Sequence, residues 1–323
     1  MQCEILEYKY QTDWDLDNFL SDTKFNELCN SNWPLVTTTM TYVIPNTDVI
    51  SMKQFIEGKR RGKPSELYYA NTGATTTYIG NKLGLQGPAF NINSACAGSL
   101  YSFYIAGLMS LDLQMPVVVF AGDNFNTDYK MWMFNSYGAL DQNTGFPFDK
   151  SSKGFKMGVG TSLFIVKHPS VKSTLSVKAV IKSFNFYTRP DLAVNPGSAD
   201  DIINHFSHIN YKSIDLWNGH VTGTPIGDII EYNFFAKTCK HDIPIIGYKG
   251  YIGHCMSAAG ALEIGMMMDD RNMNILRPNL IPTEKIIADD RIITESTSFT
   301  YRKILKTSLA FGGRTVVSEI DLY

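Results

Sequence analysis

The stretch "PAFNINSACAGSLYSFYIAGLMSLDLQMPVVVFAGDNF", residues 88–125, predicts a strand, a helix and a second strand. The helix that begins after Cys96 carries apolar residues around most of its circumference, which is typical of a buried helix. The run "MPVVVFAGDNF" is continuously apolar, as in a strand covered on both faces. This stretch therefore predicts an α/β protein with a buried sheet, and it places Cys96 where a strand meets a helix.

Strands and helices alternate on both sides of this stretch. Residues 1–50 give no clear prediction apart from a short strand in "PLVTTTMTYVI", and "ELYYANTGATTTYIGNKLGL" then predicts a helix. A second round of alternation begins near residue 172. Its predicted strands are "TLSVKAVIKSFNF", "IDLWNGH", "PIIGYKG" and, last in the chain, "KILKTSLAFGG"; its helices are "SADDIINHFSHI", "PIGDIIEYNFFAKTC" and "MSAAGALEIGMMMDD". This alternation predicts a layered α/β fold.

Composition excludes several classes of protein. The chain has 323 residues, 44% of them hydrophobic and 19% charged, with a formal charge of −2, so no overall attraction to nucleic acid or to a membrane is expected. The start of the sequence has no signal-peptide pattern and no apolar run is long enough to span a bilayer. The five cysteines form no CxxC pair, which predicts reduced thiols, no metal site and a cytoplasmic location; they are Cys3, Cys29, Cys96, Cys239 and Cys255.

Cys96 is the first candidate for chemistry. A helix N-terminus offers unpaired N–H groups and partial positive charge, which favour a thiolate and could hold an oxyanion. The alternative is a small buried hydrophobic residue, which is how most free cysteines behave. His220 and His254 each follow a predicted strand at a turn rich in glycine or threonine. Either histidine alone reads as a structural residue, but one cysteine with two such histidines indicates a nucleophilic site.

Five motifs give a resemblance to a known family. In chain order they are "NSACAGSL", "PFDKSSKGFKMGVG", "HVTGTPIGDIIE", "YKGYIGHCMSAAGAL" and "SLAFGG". Their order and spacing resemble the β-ketoacyl synthase family over about residues 50–323. The resemblance implies a thiolase-like layered fold of two similar βαβ-rich halves around a central helix pair. The halves are expected at residues 1–167, carrying the cysteine, and 168–323, carrying the histidines.

The resemblance also implies a reaction. Cys96 would take an acyl group from a carrier thioester, and His220 and His254 would assist loss of CO2 from malonyl-carrier, giving a decarboxylative Claisen condensation. Two N–H donors aimed at the developing enolate oxygen stabilise it more than the ground state. Substrates would be carried on the phosphopantetheine of acyl carrier protein or on coenzyme A, without a cofactor of the enzyme. The pathway would be fatty-acid, polyene or polyketide synthesis.

Further residues match the family motifs. Lys249 is expected to orient a histidine and supply positive charge, while Asp228 and Glu231 match an acidic pair in which Glu231 is the expected partner of Lys249. Without the resemblance, these charges would read as a solvated helix face. In the turn "AFGG", Phe311 would gate acyl entry and contribute a backbone N–H to the oxyanion hole, beside Gly312 and Gly313; alone this segment reads as a plain turn.

A basic turn lies upstream of the cysteine. It would attract acidic acyl carrier protein, or it is a solvated loop; its residues are Lys59, Arg60, Arg61 and Lys63. His205 and His208 match nothing in the family and read as surface or packing residues.

The sequence departs from the family in several ways. Fewer residues than usual precede Cys96, so the family's first strand and the helices after it are expected to be missing. Val221, Ala310 and Thr315 replace the usual glycine, glycine and asparagine, and Val221 is expected to add bulk beside the active site. Because the family dimerises through its first half, we expect a homodimer or a heterodimer with a related synthase-like subunit.

Other functions stay open at this point. A priming decarboxylase or acyltransferase would use the same residues without condensation. A non-catalytic partner would keep the fold and shape the pocket of another subunit. A hydrolase based on cysteine and histidine would need a water path to the acyl-enzyme, which a sequence cannot show.

Overall fold

A computed structural model describes residues 1–40, 72–124, 128–189, 191, 197–239 and 242–323. The predicted basic turn of Lys59, Arg60, Arg61 and Lys63 lies outside these residues.

The first half of the chain alternates strands and helices. Its strands are β1 (Cys3–Gln11), β2 (Leu35–Thr38), β3 (Ala89–Ile92), β4 (Val117–Asn124) and β5 (Val159–Lys167). Its helices are α1 (Leu16–Leu20), α2 (Thr23–Leu28), α3 (Thr72–Leu83), α4 (Gly98–Leu113) and α5 (Asp128–Ser136).

The second half follows the same plan. Its strands are β6 (Ala179–Thr188), β7 (Leu216–Asn218), β8 (Ile245–Ile246), β9 (Ile275–Leu276), β10 (Thr297–Ser298), β11 (Lys303–Ala310) and β12 (Arg314–Leu322). Its helices are α6 (Ala199–His205), α7 (Pro225–Thr238), α8 (Lys249–Ile252) and α9 (Ala259–Met273).

Ten of the strands form one mixed sheet in the order β3-β2-β4-β5-β1-β6-β12-β11-β7-β8. In the first half β2 is parallel to β3 and β4, while β5 is antiparallel to β4 and β1. In the second half β7 is parallel to β8 and β11, while β12 is antiparallel to β11 and β6. The two strand sets thus repeat one topology and meet where β1 pairs with β6. The predicted layered α/β fold is confirmed; the division at residues 167 and 168 falls between the sets, and stays a prediction as a domain boundary.

Helices α4 and α9 meet at small residues near their N-termini. A Cβ on Gly98 would lie 2.3 Å from Thr38 Oγ1 and 2.9 Å from Ser257 Cβ, so no larger residue fits without movement. A Cβ on Gly260 would lie 3.3 Å from Ser99 Cβ, and the Ser99 hydroxyl donates to the Ser257 carbonyl. These close contacts join the two halves directly behind the start of α4.

Three predictions about the elements were wrong. The first strand is present, because Cys3–Gln11 forms β1 between β5 and β6. The strand around Leu309 is followed by another, β12. Helix α4 is buried on one side only, since Leu108 and Leu111 on it are 37% and 39% exposed. Among the described residues, every helix is too short or too polar to cross a membrane.

Candidate active site

Cys96 lies in a sharp turn between a strand and a helix, as predicted. Strand β3 ends at Ile92, a short 3-10 turn covers Ala95–Ala97, and α4 starts at Gly98. Ala95 has a φ of 47°, an unusual value for a residue with a side chain. Strained backbone of this kind clusters at functional sites. The turn presents Cys96 at the start of α4, where it is 4% exposed.

The repeat of the topology extends to this turn. Met256 has a φ of 48° and starts the 3-10 turn Met256–Ala258, which leads into α9. Ser257 therefore occupies in the second half the position that Cys96 occupies in the first. Ser257 donates its N–H and its hydroxyl to the buried Asp123 carboxylate. The first half thus presents a thiol where the second half presents a serine bonded to Asp123.

The structure brings Cys96, His220 and His254 together. The Nε2 atom of His254 lies 3.1 Å from Cys96 Sγ, and the centroids of the two imidazole rings are 5.2 Å apart. One side-chain atom from each of the three residues lies within 4.8 Å of the others. His220 and His254 are 8% and 3% exposed, so the cluster is shielded from bulk water.

Burial controls the protonation of this cluster. It raises the pKa of the Cys96 thiol to about 12, against the opposing effects of the Lys249 charge and of the N–H groups of Cys96 and Phe311. The N–H groups at this turn favour the thiolate in the expected direction, but desolvation outweighs them. Burial first, and then the charges of Lys249 and Lys306, hold the pKa of both imidazoles well below the usual histidine range. At neutral pH the cluster holds a thiol beside two neutral imidazoles.

Glu231 holds the backbone of the turn that carries His220. Its carboxylate accepts from the N–H of His220 at 2.7 Å and of Val221 at 2.8 Å, and also from the Thr307 hydroxyl. It is 1% exposed, which contradicts the solvated-face alternative. The predicted pairing of Glu231 with Lys249 is also wrong, since Glu231 satisfies N–H donors that the end of β7 leaves free.

Asp228 holds the neighbouring part of the same turn. It accepts from the N–H groups of Thr222 and Phe148, both at 2.8 Å, and from that of Gly223. Burial raises the pKa of Asp228 to about 7, while these N–H donors act in the opposite direction. Asp228 therefore joins the loop around Phe148 to the histidine-bearing turn.

Lys249 pairs with a residue that sequence reasoning missed. Its Nζ lies 2.5 Å from Glu263 Oε1, and the second oxygen of Glu263 contacts Lys306. All three side chains are at most 1% exposed. The available signals were the single charge in the helix segment "AAGALEIGMMM" and the lysines of the strand segment "KILKTSLAFGG", because charges that become buried need partners.

A row of aromatic rings leads from the surface to His254. Phe311 is 36% exposed and stacks on Phe134 with a centroid distance of 6.3 Å. Phe134 meets Phe155 edge-on at 5.5 Å, and Phe155 meets His254 edge-on at 5.3 Å. Sequence reasoning identified Phe311 and missed Phe134 and Phe155. Their rings give the site an apolar wall suited to an acyl chain.

Gly312 and Gly313 form the turn between β11 and β12. Their φ values are 78° and 63°. A Cβ on Gly313 would also lie 2.0 Å from the Arg189 carbonyl oxygen, so this position requires glycine. The N–H groups that act on the Cys96 sulfur are those of Cys96 and Phe311. Gly312 and Gly313 therefore form the turn that orients the Phe311 N–H toward the Cys96 sulfur.

The three residues that replace the family's usual glycine, glycine and asparagine all lie in the packed interior. Val221 is 1% exposed and belongs to a core cluster, where a Cβ on Gly247 would lie 2.3 Å from Val221 Cγ2. The Val221 side chain, which was expected to add bulk beside the active site, therefore fills the core space next to Gly247. Ala310 and Thr315 are also buried.

His205 and His208 lie on the surface. His205 stacks on Tyr187 with a centroid distance of 4.3 Å, and His208 contacts the Asn185 side chain at 2.9 Å. Neither belongs to the cluster around Cys96.

The cluster of Cys96, His220 and His254 also has the ligand types of a zinc site. The charges of Lys249 and Lys306 act on both imidazoles and oppose entry of a divalent cation. We therefore retain the expectation of no metal as a prediction.

Comparisons with known proteins give the family. The family model described as "Beta-ketoacyl synthase, N-terminal domain" matches residues 22–171, and "Beta-ketoacyl synthase, C-terminal domain" matches residues 185–280. One relative is the chloroplastic 3-oxoacyl-[acyl-carrier-protein] synthase I of Arabidopsis thaliana, 27% identical over 288 residues. The match covers 83% of this chain and 61% of that relative, so the chain spans less than two thirds of the relative's length.

Solved structures share the fold. A β-ketoacyl synthase from Burkholderia phymatum STM815 superposes with a TM-score of 0.81 at 18% identity, covering 95% of this chain and 78% of that one. A ketosynthase (ApeO) in complex with its chain length factor (ApeC) from Xenorhabdus doucetiae has a TM-score of 0.75 at 19% identity, covering 91% and 75% of the two chains. With both domain models matched in order along the sequence, this chain belongs to the β-ketoacyl synthase family.

Proposed function

We propose that this protein is a β-ketoacyl synthase that forms a carbon–carbon bond by decarboxylative condensation. The observation that carries the proposal is the contact of His254 with Cys96, beside His220, in a buried cluster. Family membership supports it. The contact also argues against a non-catalytic partner subunit, which has no need of a thiol aligned with a base.

The first step is acyl transfer to Cys96. The Nε2 atom of His254 accepts the thiol proton while sulfur attacks the thioester carbonyl, so that no free thiolate accumulates. The N–H groups of Cys96 and Phe311 hold the resulting oxyanion. The carrier thiolate then leaves and takes the proton back from His254, which returns to its neutral form.

The second step is condensation with a malonyl thioester. Loss of CO2 leaves an enolate, whose oxygen accepts hydrogen bonds from the neutral imidazoles of His220 and His254, the latter now in the tautomer that carries its proton on Nε2. The enolate carbon attacks the acyl carbonyl on Cys96, and the cysteine sulfur leaves. The departing thiolate takes a proton from His254, which regains one from water, so each turnover consumes one solvent proton. The product is a β-ketoacyl thioester two carbons longer than the primer. Removing one such donor typically costs roughly 3 kcal/mol of barrier.

The substrates in this proposal are thioesters on phosphopantetheine. Acyl carrier protein or coenzyme A delivers them, and the chain needs no cofactor of its own. The pathway is fatty-acid, polyene or polyketide synthesis. A reducing compartment such as the cytoplasm suits the chemistry because Cys96 must stay a free thiol, as all five cysteines are here.

A dimer is the second part of the proposal. Strand β3 is the outer edge of the sheet, and Phe90 on it is 51% exposed. Helix α4 contacts β3 and presents partly exposed Tyr104 and Leu108. A sheet edge that no described strand pairs with, beside an apolar stripe, favours association with another chain. We propose a homodimer or a heterodimer with a related synthase-like subunit; the ketosynthase–chain length factor complex described above is an arrangement of the second kind.

Intact-protein mass spectrometry tests the catalytic proposal. The protein is incubated with a panel of acyl carriers, then with malonyl-carrier, and the products are identified. We expect the acyl mass on the wild type, none on Cys96→Ala, and a two-carbon extension after malonyl-carrier is added. Full elongation by Cys96→Ala would refute the mechanism. Release of CO2 from malonyl-carrier without an extended product would instead identify a priming decarboxylase.

A further inference from the structure

Two buried lysines share one carboxylate beneath the histidines. Lys249 on α8 binds one oxygen of Glu263 on α9 at 2.5 Å, and Lys306 on β11 contacts the other oxygen. The side chains of Lys249, Glu263 and Lys306 are 1%, 0% and 0% exposed. Burying ions is costly unless they are paired, and here two positive charges face a single negative one. The buried Glu231 carboxylate also acts on Lys306 and opposes the lowering of the Lys306 pKa by burial.

Lys306 also reaches the segment that carries His220. In the parallel pairing of β11 and β7, Lys306 lies opposite Asn218, two residues before His220. Its ammonium group donates to the Thr307 carbonyl at 2.9 Å. The Thr307 hydroxyl accepts from the His220 N–H at 3.1 Å and donates to Glu231. Lys306 is therefore linked to the segment of His220 on one side and to the segment of Lys249 on the other.

We propose that Lys306 is a positioning residue for the reaction proposed above. It joins the Glu231 network that holds His220 to the Glu263 network that holds Lys249, five residues before His254. It also places a second positive charge beside both imidazoles. The inference rests on the proposed function for its effect on rate, while its effect on the histidines stands independently.

The positive charge of Lys306 affects the protonation of the two imidazoles. Charged groups act on this cluster and on Lys306 from five elements; they are Glu231 on α7, Lys249 on α8, Glu263 on α9, Lys306 on β11 and Asp123 on β4. Both lysines oppose protonation of His220 and His254. Without Lys306, each imidazole would take up a proton at a higher pH and lose its role as a neutral donor.

The test uses Lys306→Met and Lys306→Gln. Methionine removes the charge at similar length, and glutamine keeps donors for Glu263 and the Thr307 carbonyl if methionine impairs folding. Lys167→Met is the matched control, because Lys167 also pairs with a glutamate from a neighbouring strand and its side chain is only 8% exposed. The readouts are imidazole NMR titrations, assigned with His220→Gln and His254→Gln, and separate rates of Cys96 acylation and malonyl decarboxylation.

We expect both Lys306 variants to shift the titration of the two imidazoles to higher pH. Decarboxylation should fall about 10–100-fold, as when an outer partner that orients a metal-binding histidine is removed, while acylation changes less. Lys167→Met should leave the titrations and both rates near wild type. A folded Lys306→Gln protein with wild-type titrations, or an equal loss in both rates without a titration shift, would overturn the inference. A wild type that accepts no acyl group would instead refute the proposed function, and the titrations would still test Lys306.

Discussion

His254 Nε2 lies 3.1 Å from the sulfur of Cys96 although 158 residues separate them. Each residue comes from a different half of the repeated topology, so the site exists only when the halves pack together. The contact is possible because small residues, Gly98 and Gly260, let the two helices behind it approach closely. The two histidines are therefore not equivalent, since His254 lies within hydrogen-bonding distance of the sulfur and His220 is placed beside it.

This difference predicts distinct effects of removing each histidine. His254→Ala should slow acylation of Cys96 more than His220→Ala does, because His254 is placed to accept the thiol proton. Both variants should lose condensation by about 100-fold or more, the usual effect of deleting one donor to a developing oxyanion. Single-turnover mass spectrometry separates the two steps. Equal acylation rates in both variants would contradict the assignment of His254 as the base.

The pH dependence of decarboxylation should reflect neutral imidazoles. Because burial lowers the pKa of His220 and His254 well below the ordinary histidine value of 6.5, the neutral forms persist in buffer more acidic than this value. The rate should therefore stay level as pH falls to 6.5 and decline only in more acidic buffer. Measurement of malonyl-carrier decarboxylation by pre-acylated enzyme across this range checks the prediction. A rate that halves near pH 6.5 would show that the imidazoles titrate like exposed histidines.

The sequence identified the groups that would do chemistry but not all the groups that hold them. Cys96 and His220 follow predicted strands and precede turns rich in small residues or threonine, and such positions can be recognised from the sequence alone. The partner of Lys249 could not be recognised in this way. Glu231 and Glu263 lie on two different helices, and only packing decides which carboxylate reaches the ammonium group.

Strand β1 shows a second limit of sequence reasoning. It lies at the centre of the sheet, yet "CEILEYKYQ" is polar and aromatic and has no continuous apolar run. Two tyrosines explain how such a sequence can be central. The hydroxyl groups of Tyr8 and Tyr10 donate hydrogen bonds to Asp269 on α9 at 2.7 Å and 2.6 Å. This polar sequence can lie at the centre of the sheet because a carboxylate on α9 accepts hydrogen bonds from its tyrosine hydroxyls. That carboxylate lies 259 residues from Tyr10 along the chain.

Glu231→Gln should destabilise the protein and impair catalysis together. The amide nitrogen that replaces one carboxylate oxygen would face the N–H of His220 or Val221, which leaves a buried donor unsatisfied. We expect a loss of about 1–3 kcal/mol in the free energy of unfolding. Glu284→Gln is the control, since Glu284 pairs with Lys150 at an exposed site and surface pairs contribute little. Urea unfolding of both variants makes the comparison; equal stabilities would argue against a structural role for Glu231.

Val221 and Gly247 should behave as a coupled pair. Gly247→Ala would place a Cβ 2.3 Å from Val221 Cγ2, so we expect a loss of roughly 1–3 kcal/mol from overpacking. In a Val221→Ala background that methyl group is absent, and the same change at residue 247 should cost less. A double-mutant cycle by urea unfolding measures the coupling. Additive losses would show that the Val221 side chain does not fill the space beside Gly247.

The exposed edge of the sheet predicts how association can be disrupted. Phe90 on β3 is 51% exposed, and Leu108 on the adjoining helix is 37% exposed. A charge at the centre of an apolar interface is strongly unfavourable when it is buried without a partner. Phe90→Glu and Leu108→Lys should therefore shift the native mass toward the monomer, while Ile226→Lys, at a 71% exposed position on α7, should not. If native mass spectrometry found the wild type monomeric while it condensed substrates, the proposed dimer would be wrong and the β3 edge would need another explanation.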